Sequence, residues 1–147
     1  MYSVEWPIWW MYDDGRRQQA GYKGGARDCV VRAIAIAAEL PYETVYGTIN
    51  EIAKFEKVRP GQNKSSARTG VHKATIKRYL THLGWTWTPT MKIGSGCKVH
   101  LRRDELPEGR LIVSVSKHLV AVIDGVIHDT HDPSRNGTRC VYGFWSK

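Results

Sequence analysis

Cysteine is scarce in this 147-residue chain: there are three, an odd number, at spacings that form no disulfide scaffold. That excludes a stapled miniature fold and favours a reducing, cytoplasmic compartment. Cys97, after the glycines of Gly94-Ser95-Gly96, and Cys140, in an expected strand, read as ordinary residues. No C-x-x-C or H-E-x-x-H occurs, so the cluster His128, Asp129, His131 and Asp132 lacks metal-site spacing, and neither a metal nor another cofactor is expected. The glycine-rich GYKGGA lacks a phosphate-cradling pattern. No apolar run is long enough to span a bilayer, and MYSVEWPIWWMYDDG has no basic n-region. Its aromatics and Pro7 suggest packing against the domain instead. With no repeat, linker or low-complexity stretch, residues 1–147 are expected to form one domain with a normal core.

The most informative feature present is the segment RDCVVRAIAIAAEL. Asp28 is placed to cap a helix whose first turn holds Cys29, and from Val30 to Ala38 only Arg32 is polar. A helix apolar almost all round runs through a domain rather than over it. Its first turn carries unpaired N–H groups and the positive end of the helix dipole. Both favour thiolate, the nucleophilic form, over thiol.

A second signal lies in LPEGRLIVSVSKHLVAVIDGVIHDTHDPS. Two β-branched runs flank Ser116-Lys117, and Asp124-Gly125 follows the second, which is the strongest short-range hairpin signal. If those two residues form the loop, Ile123 pairs with Val126, Val120 with Asp129 and His118 with His131. His118, Asp129 and His131 then share one face, with Asp129 diagonal to His118 and within reach of it. A carboxylate there fixes the tautomer and orientation that a base requires. Asp132 is the alternative carboxylate if the register differs, although Asp132-Pro133-Ser134 reads as turn chemistry.

Taken singly, an apolar-helix cysteine reads as inert core and a strand-opening histidine as structural. The conjunction of Asp-Cys at a helix start, a histidine opening a strand far downstream, and a carboxylate on the next strand points to a thiol nucleophile with its base. In this order and setting Asp28-Cys29, His118 and Asp129 resemble the papain-like cysteine peptidase superfamily, and more narrowly the small peptidases related to bacteriocin-processing domains and found in tailed-phage genomes. The resemblance spans roughly residues 27–133. It implies a central helix headed by the cysteine and packed on an antiparallel sheet, with Cys29 as nucleophile, His118 as general base and acid, and Asp129 as orienting residue. It also implies a phage protein acting on protein or peptide in the host cytoplasm. Papain-like enzymes commonly use a glutamine several residues before the cysteine as oxyanion donor. Here Gln18 and Gln19 lie farther upstream, and Gln19 is the candidate if the glycine-rich loop folds back; the Cys29 N–H is the other donor.

Elsewhere helices precede strands, the order of an α+β fold. A second helix is expected from Pro41 and a third from Val71 to Leu83, stopped by Gly84. Strands are expected at Trp85–Thr88, within 93–101, and through the C-terminal third. Trp85 and Trp87 read as core and edge packing rather than stacking platforms. The formal net charge is +8, and between Lys54 and Arg78 eight Lys or Arg stand against one acidic residue, Glu56. That segment is either a solvated face or a surface for an acidic partner or nucleic acid. Two functions follow: a cysteine peptidase or related thiol acyl-transfer enzyme, or a catalytically silent basic module that binds nucleic acid or blocks a host factor.

Overall fold

The computed structural model describes residues 9–147. Strand β1 (Trp9–Tyr12) is followed by helices α1 (Cys29–Ala37), α2 (Tyr42–Ala53) and α3 (Lys73–His82). Then come β2 (Thr86–Pro89), a 3-10 turn (Arg103–Glu105), β3 (Arg110–Val115), β4 (His118–Ile123), β5 (Val126–Asp129) and β6 (Gly143–Ser146). The six strands form one sheet in the order β1-β5-β4-β3-β6-β2. All neighbours are antiparallel except β1 and β5, which run parallel. The fold is α+β with a mixed sheet.

The sheet is covered on both faces. On one, the apolar residues of α1 pack with Ile112, Leu119 and Ala121 and with Val45, Ile49 and Leu80 of the other helices. On the other, Leu101, Leu106 and Val141 cover Leu111, Val113, Val120, Val122 and Ile127. A strand buried on both sides has no polar face to present, and β4 accordingly reads as a near-continuous apolar run. α1 is enclosed in the same way: from Val30 to Ala37 every residue except Arg32 is buried.

Local chemistry sets the boundaries. Asp124 (φ 48°) and Gly125 (φ 77°) both adopt positive φ, as a two-residue hairpin turn of the primed type requires, and the expected pairing of Ile123 with Val126 follows. Gly84 (φ 90°) ends α3, with Trp85 N donating to Leu80 O at 2.9 Å, a glycine C-cap. β2 tolerates Pro89 because it lies at the sheet edge.

Three expectations are corrected. No strand forms within 93–101 beyond a single bridge between His100 and Cys140, because Gly94 and Gly96 take positive φ. Cys97 and Cys140 are not ordinary residues: they form a disulfide, Cα–Cα 5.8 Å, between that loop and the approach to β6. The pairing leaves Cys29 as the free thiol and removes the ground for expecting a reducing compartment. The N-terminal aromatics do not pack inward over the described part: Trp9, Trp10, Met11 and Tyr12 are exposed on β1, whereas Pro7 lies outside the described residues. No helix among the described residues is long and apolar enough to cross a membrane.

Candidate active site

Cys29 is the first residue of α1, and His118 the first of β4. α1 lies against β4, so the half-buried Cys29 packs beside Leu119. The imidazole of His118 hydrogen-bonds the thiol, and the Leu119 backbone N–H donates to the same sulfur. On its other side His118 Nε2 meets Asp129 Oδ2 at 2.6 Å, which leaves Nδ1 for the cysteine. Asp129 reaches this position because the hairpin closes in the expected register, with Val122 opposite Ile127 and Ala121 opposite His128. Asp132 is exposed and turned into its own loop, where Oδ1 accepts the Ser134 N–H at 2.9 Å. Asp129, and not Asp132, meets the histidine.

The charges of the three groups support one another. Burial pushes the Cys29 thiol up, but the His118 hydrogen bond and positive charge, the Leu119 N–H and the Arg32 guanidinium together bring it below its ordinary value. Burial pulls His118 down, yet Asp129 and Cys29 outweigh it and push the imidazole up to about 9. Asp129, although burial raises it, is held below the usual carboxylate range by His118, by the Thr130 N–H and by Arg32. Thiolate, imidazolium and carboxylate are thus the mutually favoured forms near neutral pH.

A further buried layer holds this row in place. Arg32 Nη1 donates to Asp28 Oδ1 at 2.5 Å and Nη2 to Asp129 Oδ1 at 3.3 Å, while Tyr42 Oη donates to Asp28 Oδ2 at 2.6 Å. Asp28 therefore does not cap α1 with its side chain; its carboxylate is taken by Arg32 and Tyr42 instead. Sequence reasoning passed over Arg32, although a lone charge in an apolar helix four residues after an aspartate was the signal for it. Arg139 contributes from another direction, donating through Nη2 to Ser116 O at 2.5 Å, in the turn that delivers His118.

For an oxyanion the first-turn N–H groups of α1 are available, since Arg32 N is the first to bond back, to Asp28 O at 3.0 Å. The turn ahead of the two glutamines packs on α1: Gly15 (φ 68°) lies so close that a Cβ would sit 3.3 Å from the Arg32 Cα. Gln19 is exposed, in a depression with Arg16, Ala20, Pro41, Tyr42 and Glu43 and not in the one that Asp28 and Arg32 border. Gln18 instead lines a polar depression of about 360 Å³ that Asp28, Arg32 and Thr130 also border.

His118, Asp129 and His131 bring three potential ligand atoms within 4.8 Å of one another. Both Asp129 oxygens are already engaged, by His118 on one side and by Arg32 and the Thr130 N–H on the other, and the Arg32 charge opposes a cation there. His128 is held apart by Asp13, Nδ1 to Oδ2 3.0 Å. What the arrangement can do is present an activated thiolate, with a proton donor beside it and N–H dipoles at the helix start. No family model, curated protein or solved structure matches the chain.

Proposed function

We propose that this protein is a thiol enzyme of papain-like type, a cysteine peptidase or a closely related acyl-transfer enzyme, acting on a peptide, isopeptide or thioester carbonyl. The observation that carries the reading is the unbroken row Cys29, His118, Asp129, with the imidazole bonded to both neighbours. The Cys29 thiolate attacks the carbonyl carbon, forming a C–S bond as the carbonyl π pair moves onto oxygen. The Cys29 N–H and the positive end of α1 stabilise that oxyanion. As it collapses, the C–N bond breaks and the His118 imidazolium gives its proton to the departing amine. His118 then takes a proton from water, the hydroxide attacks the thioester, and the thiolate leaves with the acid product. An amine in place of water gives transfer, and a side-chain amide in place of a peptide bond gives deamidation.

The test is covalent labelling of native protein with a small acyl-mimicking electrophile, with the modified residue located by mass spectrometry. Fast, selective modification of Cys29 is expected; labelling no faster than free cysteine rejects the reading.

A silent basic module is the second reading, favoured by one observation on the segment from Lys54 to Arg78. Its single carboxylate, Glu56, is engaged by the Ser65 N–H at 2.6 Å and by the hydroxyls of Ser65 and Thr75, so among the described residues it forms no ion pair with the Lys and Arg around it. Tight, steeply salt-dependent nucleic-acid binding without thiol reactivity would make this the better account.

A further inference from the structure

A groove of about 280 Å³ opens at Leu119, the residue after His118, with Trp87, Tyr142 and Trp145 among its other walls and the exposed Lys73 and Lys77 along it. We infer that this groove selects the substrate by taking a bulky apolar side chain whose neighbour in the peptide is Asp or Glu. The inference rests on the thiol-enzyme reading and adds to it a substrate class.

Proximity comes from one residue. Leu119 lines the groove, while its backbone N–H donates to the Cys29 sulfur. A chain whose carbonyl carbon meets that sulfur passes Leu119, and Leu119 is a wall of the groove.

Shape comes from the β2–β6 pair. Trp87 faces Trp145 across the ladder, ring centroids 5.3 Å apart. The Trp87 ring lies where a Cβ on Gly143 would stand, 2.3 Å from the ring carbon Cζ2. Glycine at that position lets the indole lie down as a wall while it stays 37% exposed. The volume falls below the roughly 300–1,000 Å³ of sites that enclose a drug-sized ligand. It suits one or two side chains.

Charge comes from α3. Lys73 and Lys77 stand four apart on one helix face, both exposed, and neither forms an ion pair among the described residues. The carboxylate of the same segment, Glu56, is turned to Ser65 and Thr75. The polar depression bordered by Asp28 and Arg32 carries both signs of charge, including Asp14 and Lys23. The groove rim carries only one, and an apolar anchor beside a carboxylate complements it.

The experiment compares irreversible peptidyl electrophiles that differ only in the residue beside a Phe anchor, Glu or Lys, together with a glycine-only peptide. Rates of Cys29 modification are normalised to the iodoacetamide rate on the same protein. The Phe-Glu probe is expected to react about five to ten times faster than Phe-Lys at low salt, with the gap closing as salt rises and vanishing or inverting in K73E/K77E. Equal normalised rates for all three peptides overturn the inference, while fast iodoacetamide labelling in the same run leaves the thiol-enzyme reading standing. If Cys29 is inert, the parallel measurement decides: tryptophan fluorescence of Cys29→Ala titrated with the unreactive Phe-Glu and Phe-Lys peptides. Saturable binding that prefers Phe-Glu and weakens in K73E/K77E keeps the groove assignment, and no preference ends it.

Discussion

Arg32 Nη2 stands 3.3 Å from Asp129 Oδ1 while its Nη1 holds Asp28, so one guanidinium from the central helix steadies the carboxylate that steadies His118. Both carboxylates are nearly inaccessible, 2% and 3% exposed, and each depends on that charge. Arg32→Met is expected to destabilise the fold by about 3–5 kcal/mol, the cost of leaving buried charge uncompensated. Because the Asp129 carboxyl is depressed, its stabilisation is complete above the ordinary carboxylate range and is lost as pH falls through the folded-state value. Without Arg32 that value rises, so acid unfolding followed by circular dichroism is expected at a higher pH than in the parent.

The thiolate–imidazolium pair has a pH window. It opens below the ordinary thiol value of 9.0, because Cys29 is depressed, and closes near 9, where His118 loses its proton. Iodoacetamide rates against pH should therefore show a reactive thiolate at neutral pH. In His118→Ala the apparent pKa should rise to the ordinary value or above it, since burial then acts with its main opponent gone. The stability terms have opposite slopes. The His118 contribution is complete below 6.5 and lost as pH rises through about 9, whereas that of Cys29 is complete above 9.0 and lost as pH falls. Alkylation kinetics separates them where a melting curve does not.

Asp129, at the end of β5, and Asp132, in the loop after it, should behave differently. Asp129→Ala removes the partner of His118 Nε2, and turnover of an activity probe is expected to fall by about 10²–10⁴-fold. Asp132→Ala loses one turn hydrogen bond, to Ser134 N, worth about 1 kcal/mol, and should keep most activity. Folded-state checks by circular dichroism precede both measurements; an inactive Asp132→Ala beside an active Asp129→Ala would reject the assignment of the third residue.

Thiol titration offers an independent check on the Cys97–Cys140 pair. Oxidised, unfolded protein should show one reactive thiol, and reduced, unfolded protein three. The double variant C97A/C140A is expected to lose about 2–4 kcal/mol of stability with little change in the Cys29 alkylation rate.

How much of this was legible depended on the range of the contacts. Asp124-Gly125 fixes its hairpin locally, and once the loop is two residues long the parity of His118 and Asp129 follows by counting. The apolar run after Cys29 likewise announced a buried helix. β1 was not foreseen, because a parallel strand joined to its partner across most of the chain leaves no local pattern beyond a few aromatics. The Cys97–Cys140 bridge spans 43 residues and depends on a loop whose path no periodicity records. The place of Gln19 was not legible either, because the irregular chain that separates it from Cys29 carries no periodicity. Arg32 was visible as the one polar residue of an apolar helix and was given no role, although its partner Asp28 lay one turn away.

His118 and Leu119 are consecutive residues of one strand: the side chain of the first and the backbone N–H of the second both meet the Cys29 sulfur. Base and donor cannot therefore be repositioned one at a time. The strand that carries them is bounded by Ser116-Lys117 and Asp124-Gly125, each two residues long. A one-residue slip of the register at either end would send every side chain between to the opposite face, and the two-residue turns are what hold the register. Length variation in related chains should accordingly avoid these two corners and gather in the long connection between α2 and α3, where extra residues cost little closure entropy. The reactive centre thus inherits its exactness from the two tightest corners of the chain.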